Sequence, residues 1–318
     1  MKITRNKVCC PLCSHENQTI LETIDTRTLK EIWHKSASID ITRISDKTSS
    51  IDFYKCPKCD LGFFNPQIPG DSKFYGDLAK DSMYYLHEGK SEFYYSAKKI
   101  LSGSSVLDIG SGRGVFSQFL DPSTDYTGLE LSTAAVKLAK ESNINVINST
   151  IEEFVKTTNK QFDYIVSFQV LEHIENISSF IVAIKKALKD GGKIIFAVPN
   201  NESFISKTPN HILNLPPHHQ LHWTRKSLNF LASNFNLEVE DIYCERVSKA
   251  HLKSFIYSNI YDFFRKASLM TYRHIKNSIP REFLSKLSWK IASITTLLFG
   301  SSLFKNRIGQ TIIICMKK

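Results

Sequence analysis

Val106-Leu107-Asp108-Ile109-Gly110-Ser111-Gly112-Arg113-Gly114 reads as a buried strand that ends in three alternating glycines and leads into a helix. Such a loop lets a ligand press on bare backbone at a helix start. A nicotinamide or flavin loop runs G-x-G-x-x-G, whereas here the third glycine comes one residue early and Val115 takes its place. Glu130 follows 16 residues after Gly114, at the end of the next strand-like run, where two carboxylate oxygens can accept both hydroxyls of a ribose. Asp108 and Glu130 together make the pocket anionic, which suits a cationic ligand better than a pyrophosphate.

Outward from this loop, short β-rich runs alternate with helical ones: DYTGLEL, a helix through Ala134 to Lys140, INVINS, a short helix from Ile151, FDYIVSFQVL, an amphipathic helix over Ile177 to Leu188, and KIIFAVP. This alternation predicts a parallel sheet with helices on both faces and ligands at the carboxyl ends of its strands. Before it, GDSKFYGDLAKDS reads as a connection, with a domain boundary near residue 75. The aromatic run Met83 to Tyr95 reads as core packing, with Tyr84 and Tyr85 as weak ligand candidates.

Of seven cysteines, five precede residue 60. Cys10-Pro-Leu-Cys13 and Cys56-Pro-Lys-Cys59 each let two thiolates of one tight turn reach a single tetrahedral ion, and four soft ligands favour structural zinc with no open position for chemistry. Disulfides are disfavoured in a reducing cytosol, and a redox motif needs only one pair. The 42-residue spacer predicts a strand-rich insertion over Ile20 to Tyr54, and Cys9 is the spare thiol. Cys244 and Cys315, alone in apolar runs, read as core residues.

The net charge of +10 is localised: 249–307 holds 11 basic side chains against Asp262 and Glu282, a net +9. That stretch is far longer than an ordinary connection and reads as two or three amphipathic helices. Two readings stand side by side: helices lying on an anionic lipid surface, or a lid packed on the sheet with a solvated basic face. Its aromatics interleave with Leu and Ile and no nucleic-acid motif is present, which argues against nucleic acid as partner. The first dozen residues lack a secretory apolar run, and the longest uncharged stretch, Ile291 to Phe304, falls short of the ~20 apolar residues of a spanning helix. The expectation is a cytoplasmic chain, with peripheral contact at the inner face of the membrane if the helices bind lipid.

LDIGSGRG, TGLELS, QFDYIVSFQVLEHIEN and LKDGGKIIFAVPN, in this order, resemble the class I S-adenosylmethionine-dependent methyltransferases. The resemblance covers about Ser96 to Asn200 and returns at Ile308 to Lys317, similar to that family's final antiparallel strand. It implies an α/β, Rossmann-like domain over 76–248 and 308–318, preceded by the zinc module and linker (1–75) and interrupted by the helical insertion (249–307). The cysteine pairs and PPHHQLHWT further resemble a bacterial subgroup associated with sugar or surface-polysaccharide pathways. By resemblance, Gly110, Ser111, Gly112 and Gly114 pass under the methionine part of S-adenosylmethionine, Asp108 supports its ammonium, and Glu130 beside Leu131 holds the ribose. Thr150 and Ile151 match positions flanking the adenine, and Phe168 and Gln169 positions facing the methyl group.

A sulfonium is an activated methyl donor, so such a protein mainly aligns an in-line displacement and excludes water. An oxygen acceptor also needs a proton acceptor, for which an imidazole is suited. Four of ten histidines fall within His211 to His222, and His173 follows Glu172 beside the cofactor strand. His173 ranks first and His219 second as base, with His218, His222 and Trp223 shaping the acceptor pocket. Relatives acting on catechol-like quinone precursors place an acid three residues before the Glu-His pair to bind magnesium; Gln169 stands there and argues against that chemistry. The expected acceptor is a small or lipid-linked molecule, a saccharide or related metabolite. The alternatives are RNA or protein methylation and a non-catalytic scaffold at the membrane surface.

Overall fold

The computed structural model describes residues 8–80, 91–208, 210–267, 279–299 and 307–318. Tyr84 and Tyr85 lie outside the described residues. Elements run β1 (Thr19–Asp25), α1 (Thr26–Ala37), α2 (Thr42–Ser45), β2 (Ser50–Lys55), β3 (Gly62–Asn65), α3 (Ser72–Leu78), α4 (Ser91–Ala97), β4 (Ser105–Ile109), β5 (Asp125–Leu129), α5 (Thr133–Glu141), β6 (Val146–Ile147), α6 (Ile151–Thr157), β7 (Phe162–Phe168) and α7 (Ile177–Ala187). There follow β8 (Leu188–Pro199), β9 (Leu221–His222), α8 (Arg225–Asn234), β10 (Glu238–Arg246), α9 (Leu252–Ala267), α10 (Ile279–Phe299) and β11 (Ile308–Lys317).

Seven strands form the main sheet in the order β10-β11-β8-β7-β4-β5-β6. β4 to β8 are parallel, and β11 runs antiparallel to both β8 and β10. The expected α/β, Rossmann-like class is what the chain adopts. Successive side chains alternate between two buried layers, because a strand's period is two. Leu107, Ile109, Ile165, Ile194 and Ile314 face the layer under α6, α7 and α8, while Val106, Val166, Ile195 and Ile313 face α4 and the turn at Val115–Phe119. Both faces being covered, the inner strands read as near-continuous apolar runs. Each such aliphatic side chain contributes about 1.5–3 kcal/mol on burial.

The N-terminal unit is more helical than its sequence suggests. Between the cysteine pairs the chain folds as strand, helix, short helix, strand: Asp25 caps α1 by accepting from Arg27 N and Thr28 N, and Leu29, Ile32 and Trp33 bury one helical face. GDSKFYGDLAKDS, which reads as a connection, forms α3, because Asp71 accepts from Phe74 N and Phe74 and Leu78, one turn apart, both enter the core. The unit's sheet has the order β1-β2-β3-β9, so its fourth strand comes from Leu221–His222, far along the chain. Gly62 sits opposite His222, where a Cβ would lie 2.9 Å from the His222 Cβ, so this close pairing needs glycine. Gln220, fully buried, fastens the seam by accepting from Ile68 N and donating to the Ile68 and Pro217 carbonyls.

In the insertion, α9 and α10 pack on each other through Ile256, Tyr257, Tyr261, Leu284 and Ala292, with Tyr257 and Trp289 at 5.3 Å between ring centroids. The pair docks on the turn after β8, where Phe255 meets Phe204 and Lys207 donates to Asn259 Oδ1. Among the described residues, no helix is long and apolar enough to cross a membrane.

Candidate functional site

The four cysteines converge. Cys10 Sγ lies 3.5 Å from Cys59 Sγ and Cys13 Sγ 3.5 Å from Cys56 Sγ, with all four sulfurs within 4.8 Å of one another. Tetrahedral zinc with Zn–S near 2.3 Å sets sulfur–sulfur edges of roughly 3.7 Å, so the donor set fits that ion closely. The two turns match: Ser14 and Asp60, each next after a pair, take left-handed φ of 54° and 68° and donate their N–H to the carbonyls of Cys10 and Cys56. The Cys59 hydrogen bond pulls the Cys10 thiol down to about 5, while burial pushes Cys13 up to about 11. Cys9 is exposed and outside the cluster.

At the end of β4 the chain makes its three-glycine turn, with Gly110, Gly112 and Gly114 at φ of 74°, 56° and 77°. Each has a distinct surrounding. A Cβ on Gly110 would meet Val170 at 2.3 Å and one on Gly114 would meet Ile144 at 2.6 Å, while nothing lies within 4 Å of that position on Gly112. Gly112 therefore presents backbone to open space. Glu130 closes over it: its carboxylate accepts from Gly112 N at 2.9 Å and Ser132 N at 2.7 Å. Asp108, 2% exposed, accepts from the Tyr126 hydroxyl at 2.7 Å, and burial with this carboxylate neighbour pushes the Tyr126 phenol well above its usual value. Strand order reverses between β4 and β7, so this loop stands at the crevice where parallel α/β sheets bind ligands.

Ser111 packs against Gly128 and donates weakly to Leu129 O. Leu131 is exposed, and Asn148 donates to the Glu130 and Leu131 carbonyls. Thr150 caps α6 in a reciprocal pair with Glu153, and the Ile151 side chain is buried in the main core. Phe168 packs between Phe93 and Phe116, and Gln169 turns the chain at φ 58° with its amide 3.5 Å from Glu92 Oε1.

The turn after β7 and the segment before β9 bring three histidines together. His173, His218 and His219 offer ring nitrogens within 4.8 Å of one another. Glu172, fully buried, places Oε1 at 4.0 Å from His173 Nε2 and 3.7 Å from His219 Nε2. His173 Nδ1 lies 2.6 Å from the His218 carbonyl and 3.2 Å from the Tyr75 hydroxyl, and His219 Nδ1 lies 3.4 Å from Asn214 Oδ1. Burial pushes His173 down to about 4 and holds His218 and His219 well below the usual imidazole value, so all three are neutral at physiological pH. His222 and Trp223 stand apart from this group. His222 packs against Phe53 and Phe64 with Nε2 2.8 Å from the Asn214 carbonyl, and Trp223 is buried in the main core. Glu172, Asn214, Tyr75 and Tyr126 escaped the sequence reading; only Glu172, a carboxylate closing an apolar run, carries a signal there.

Residues 86–242 match a family described as methyltransferase domain. The ubiquinone biosynthesis O-methyltransferase of Erwinia tasmaniensis is 30% identical over 110 residues, covering 32% of this chain and 45% of that protein. The mitochondrial protein of the same name from Dictyostelium discoideum is 27% identical over 167 residues, covering 45% of this chain and 52% of that one. This chain thus spans about half the length of the curated relatives it matches. Among solved structures, a SAM dependent methyltransferase from Archaeoglobus fulgidus is 20% identical, covers 71% of this chain and 90% of its own, and aligns with a TM-score of 0.46. Residues 86–242 are thus similar to a methyltransferase domain, and the glycine loop, the acidic end of β5 and the antiparallel β11 stand in or beside that match.

Proposed function

We propose that this protein transfers the methyl group of S-adenosylmethionine to an oxygen of a small or lipid-linked acceptor, a saccharide or related metabolite. The observation that carries the reading is the left-handed glycine turn whose Gly112 N–H donates to the Glu130 carboxylate, at the end of the strand that carries the buried Asp108. Gly110, Ser111, Gly112 and Gly114 would underlie the cofactor, Asp108 would face its ammonium, and Glu130 would trade its two backbone N–H partners for ribose hydroxyls. Leu131, Thr150 and Ile151 would flank the adenine, with Phe168 and Gln169 toward the reacting end. When bound, the cofactor supplies a methyl already activated by its sulfonium. The chain's own task is then to orient the acceptor, exclude water and receive a proton.

Oxygen is favoured by the relatives named as O-methyltransferases. Proton uptake is assigned to His173 first and His219 second, since both are neutral and Glu172 can stabilise the imidazolium that forms. His218 lines this end of the site; His222 supports it from the N-terminal sheet. The Cys10, Cys13, Cys56 and Cys59 cluster would hold structural zinc. Lipid linkage and contact with the membrane surface are supported by the basic α9–α10 pair, whose apolar residues Phe283, Ile294, Leu297 and Leu298 are more than half exposed.

Isothermal titration with S-adenosylmethionine tests the core of the reading. Wild type should bind, and Asp108→Ala or Glu130→Ala should weaken binding at least tenfold, about 1.4 kcal/mol. Absence of binding by wild type, or variants that bind as it does, would refute the assignment.

A further inference from the structure

We propose that the cleft where the N-terminal sheet, the turn after β8 and α9 meet binds a phosphoryl group, that of a phosphorylated acceptor. The cleft encloses about 290 Å³, near the lower end of small-ligand sites. Lys55 enters it from β2, Lys207 from the turn after β8, and Arg265 with Lys266 from the last turn of α9. Cations from three separate stretches of chain thus converge on one space. Against them stand two carboxylates, Asp60 and Asp262, and the neighbouring His222 is neutral because burial pushes it down to about 4. The lining therefore keeps an excess of two positive charges.

The way each cation is held points to the same ligand. Lys55 Nζ pairs with Asp60 at 2.9 Å. The Asp262 side chain, 10% exposed, serves two cations at once, Arg265 Nη2 at 2.6 Å and Lys266 Nζ at 2.8 Å, so one charge fixes both without balancing them. Lys207 Nζ donates at 2.8 Å to the Asn259 amide oxygen, a neutral partner. Unbalanced like charges in a recess raise the local concentration of anions. A phosphate ester carries close to two negative charges at pH 7 and matches this excess, whereas a carboxylate carries one. Guanidinium and ammonium groups only donate, which suits phosphoryl oxygens. Leu21 and Phe53 add apolar lining against which the rest of a ligand can lie. Asn214 joins the cleft to the histidine cluster. Its amide donates to Asn201 Oδ1 at 2.8 Å, its Oδ1 lies 3.4 Å from His219 Nδ1, and its carbonyl accepts from His222 Nε2 at 2.8 Å. Asn201 and His222 line the cleft, which therefore stands one residue away from the proposed proton acceptors.

Assigning the phosphoryl group to the acceptor rests on the proposed methyl transfer; phosphate binding itself does not. The test is isothermal titration of the full-length protein with inorganic diphosphate. Wild type should bind it, and Lys207→Gln and Arg265→Gln should each weaken binding at least ~10-fold. Lys47→Gln, which removes the same charge from an exposed position outside the cleft, should bind as wild type does. Lys266 is 67% exposed and can change without disturbing the core, so Lys266→Gln takes the place of Arg265→Gln should that variant not fold; a loss of at least ~3-fold is expected of it. Competition with phosphatidylglycerol vesicles at fixed ionic strength separates the sources: diphosphate that releases captured protein assigns a lipid headgroup, and diphosphate that binds without releasing any assigns a soluble phosphate ester. No diphosphate binding by wild type, unchanged binding in the cleft variants, or an equal loss in Lys47→Gln overturns the proposal. S-adenosylmethionine binding by the same wild-type sample keeps the two readings apart: cofactor without diphosphate sinks only the phosphoryl site, and diphosphate without cofactor sinks only the methyl transfer.

Discussion

Asp163 ties the near ends of β4 and β7 together through one side chain. It accepts from Ser105 N at 2.9 Å and Ser105 Oγ at 2.7 Å, and Lys189 Nζ approaches both its oxygens at 2.9 Å. Those donors, Ser105 first, hold the carboxyl at about 2 against an ordinary 3.8. Because the folded value is the lower one, its stabilisation is fully present above about pH 4 and disappears as pH falls through about 2. Asp163→Asn should cost about 0.5–1 kcal/mol at pH 7, solvent screening keeping the figure small. Urea unfolding at pH 7 and at pH 3 checks this, and an equal deficit at both would contradict a charge-based role. At this scale Glu130 was readable because loop spacing fixes its place, whereas Glu172, Asn214 and Tyr75 were not. Their partners lie on segments that only the tertiary fold brings together, and no local pattern records such a meeting.

The insertion shows what one helix can add. On α10, Phe283, Leu287, Ile294 and Leu298 recur at intervals of four, seven and four, which places them on one stripe. Phe283, Ile294 and Leu298 are 69%, 58% and 68% exposed, while Lys286 and Lys290 flank the stripe in solvent. Apolar stripe with cationic border is the form of a helix that lies in an anionic lipid interface. Cosedimentation with phosphatidylglycerol vesicles should therefore capture wild type and lose about 100-fold in partition for Ile294→Ser with Leu297→Ser and Leu298→Ser, near 1 kcal/mol for each side chain. Binding should also fall with added salt. Capture of neither would favour a lid that never meets lipid, and equal capture of both would mean that lipid contact does not run through this stripe. The helical character of this stretch was legible because aromatics at 3.6-residue spacing announce it. The strands β1 to β3 were less so: α1 and α2 intervene between β1 and β2, and α3, after β3, hid behind the glycines and aspartates of a segment that looks like a linker. Its cap and the buried pair Phe74 and Leu78 outweighed composition.

The whole molecule is joined across units that the sequence presents as successive. Order along the chain, metal turns first and glycine loop after, could be read directly. The pairing of Gly62 with His222 and Phe63 with Leu221 could not, since it links positions some 160 residues apart and only β3's open edge calls for it. That pairing has a thermodynamic consequence. Cys10, Cys56 and Cys59 pack in the same core as Leu221, Trp223 and Leu228 of the methyltransferase domain, so the metal turns are part of its wall. Zinc that binds only the folded form, at a free concentration near 1,000 times its Kd, would add about 4 kcal/mol. At roughly 2–4 °C per kcal/mol, chelation should lower the thermal midpoint on the order of 10 °C. The transition should move as one, because β9 and Gln220 leave the two sheets no seam at which to part. Differential scanning calorimetry before and after chelation distinguishes the cases. Two separated transitions, with the larger unmoved by metal removal, would mean that the N-terminal sheet melts alone and that the shared strand does not couple the units.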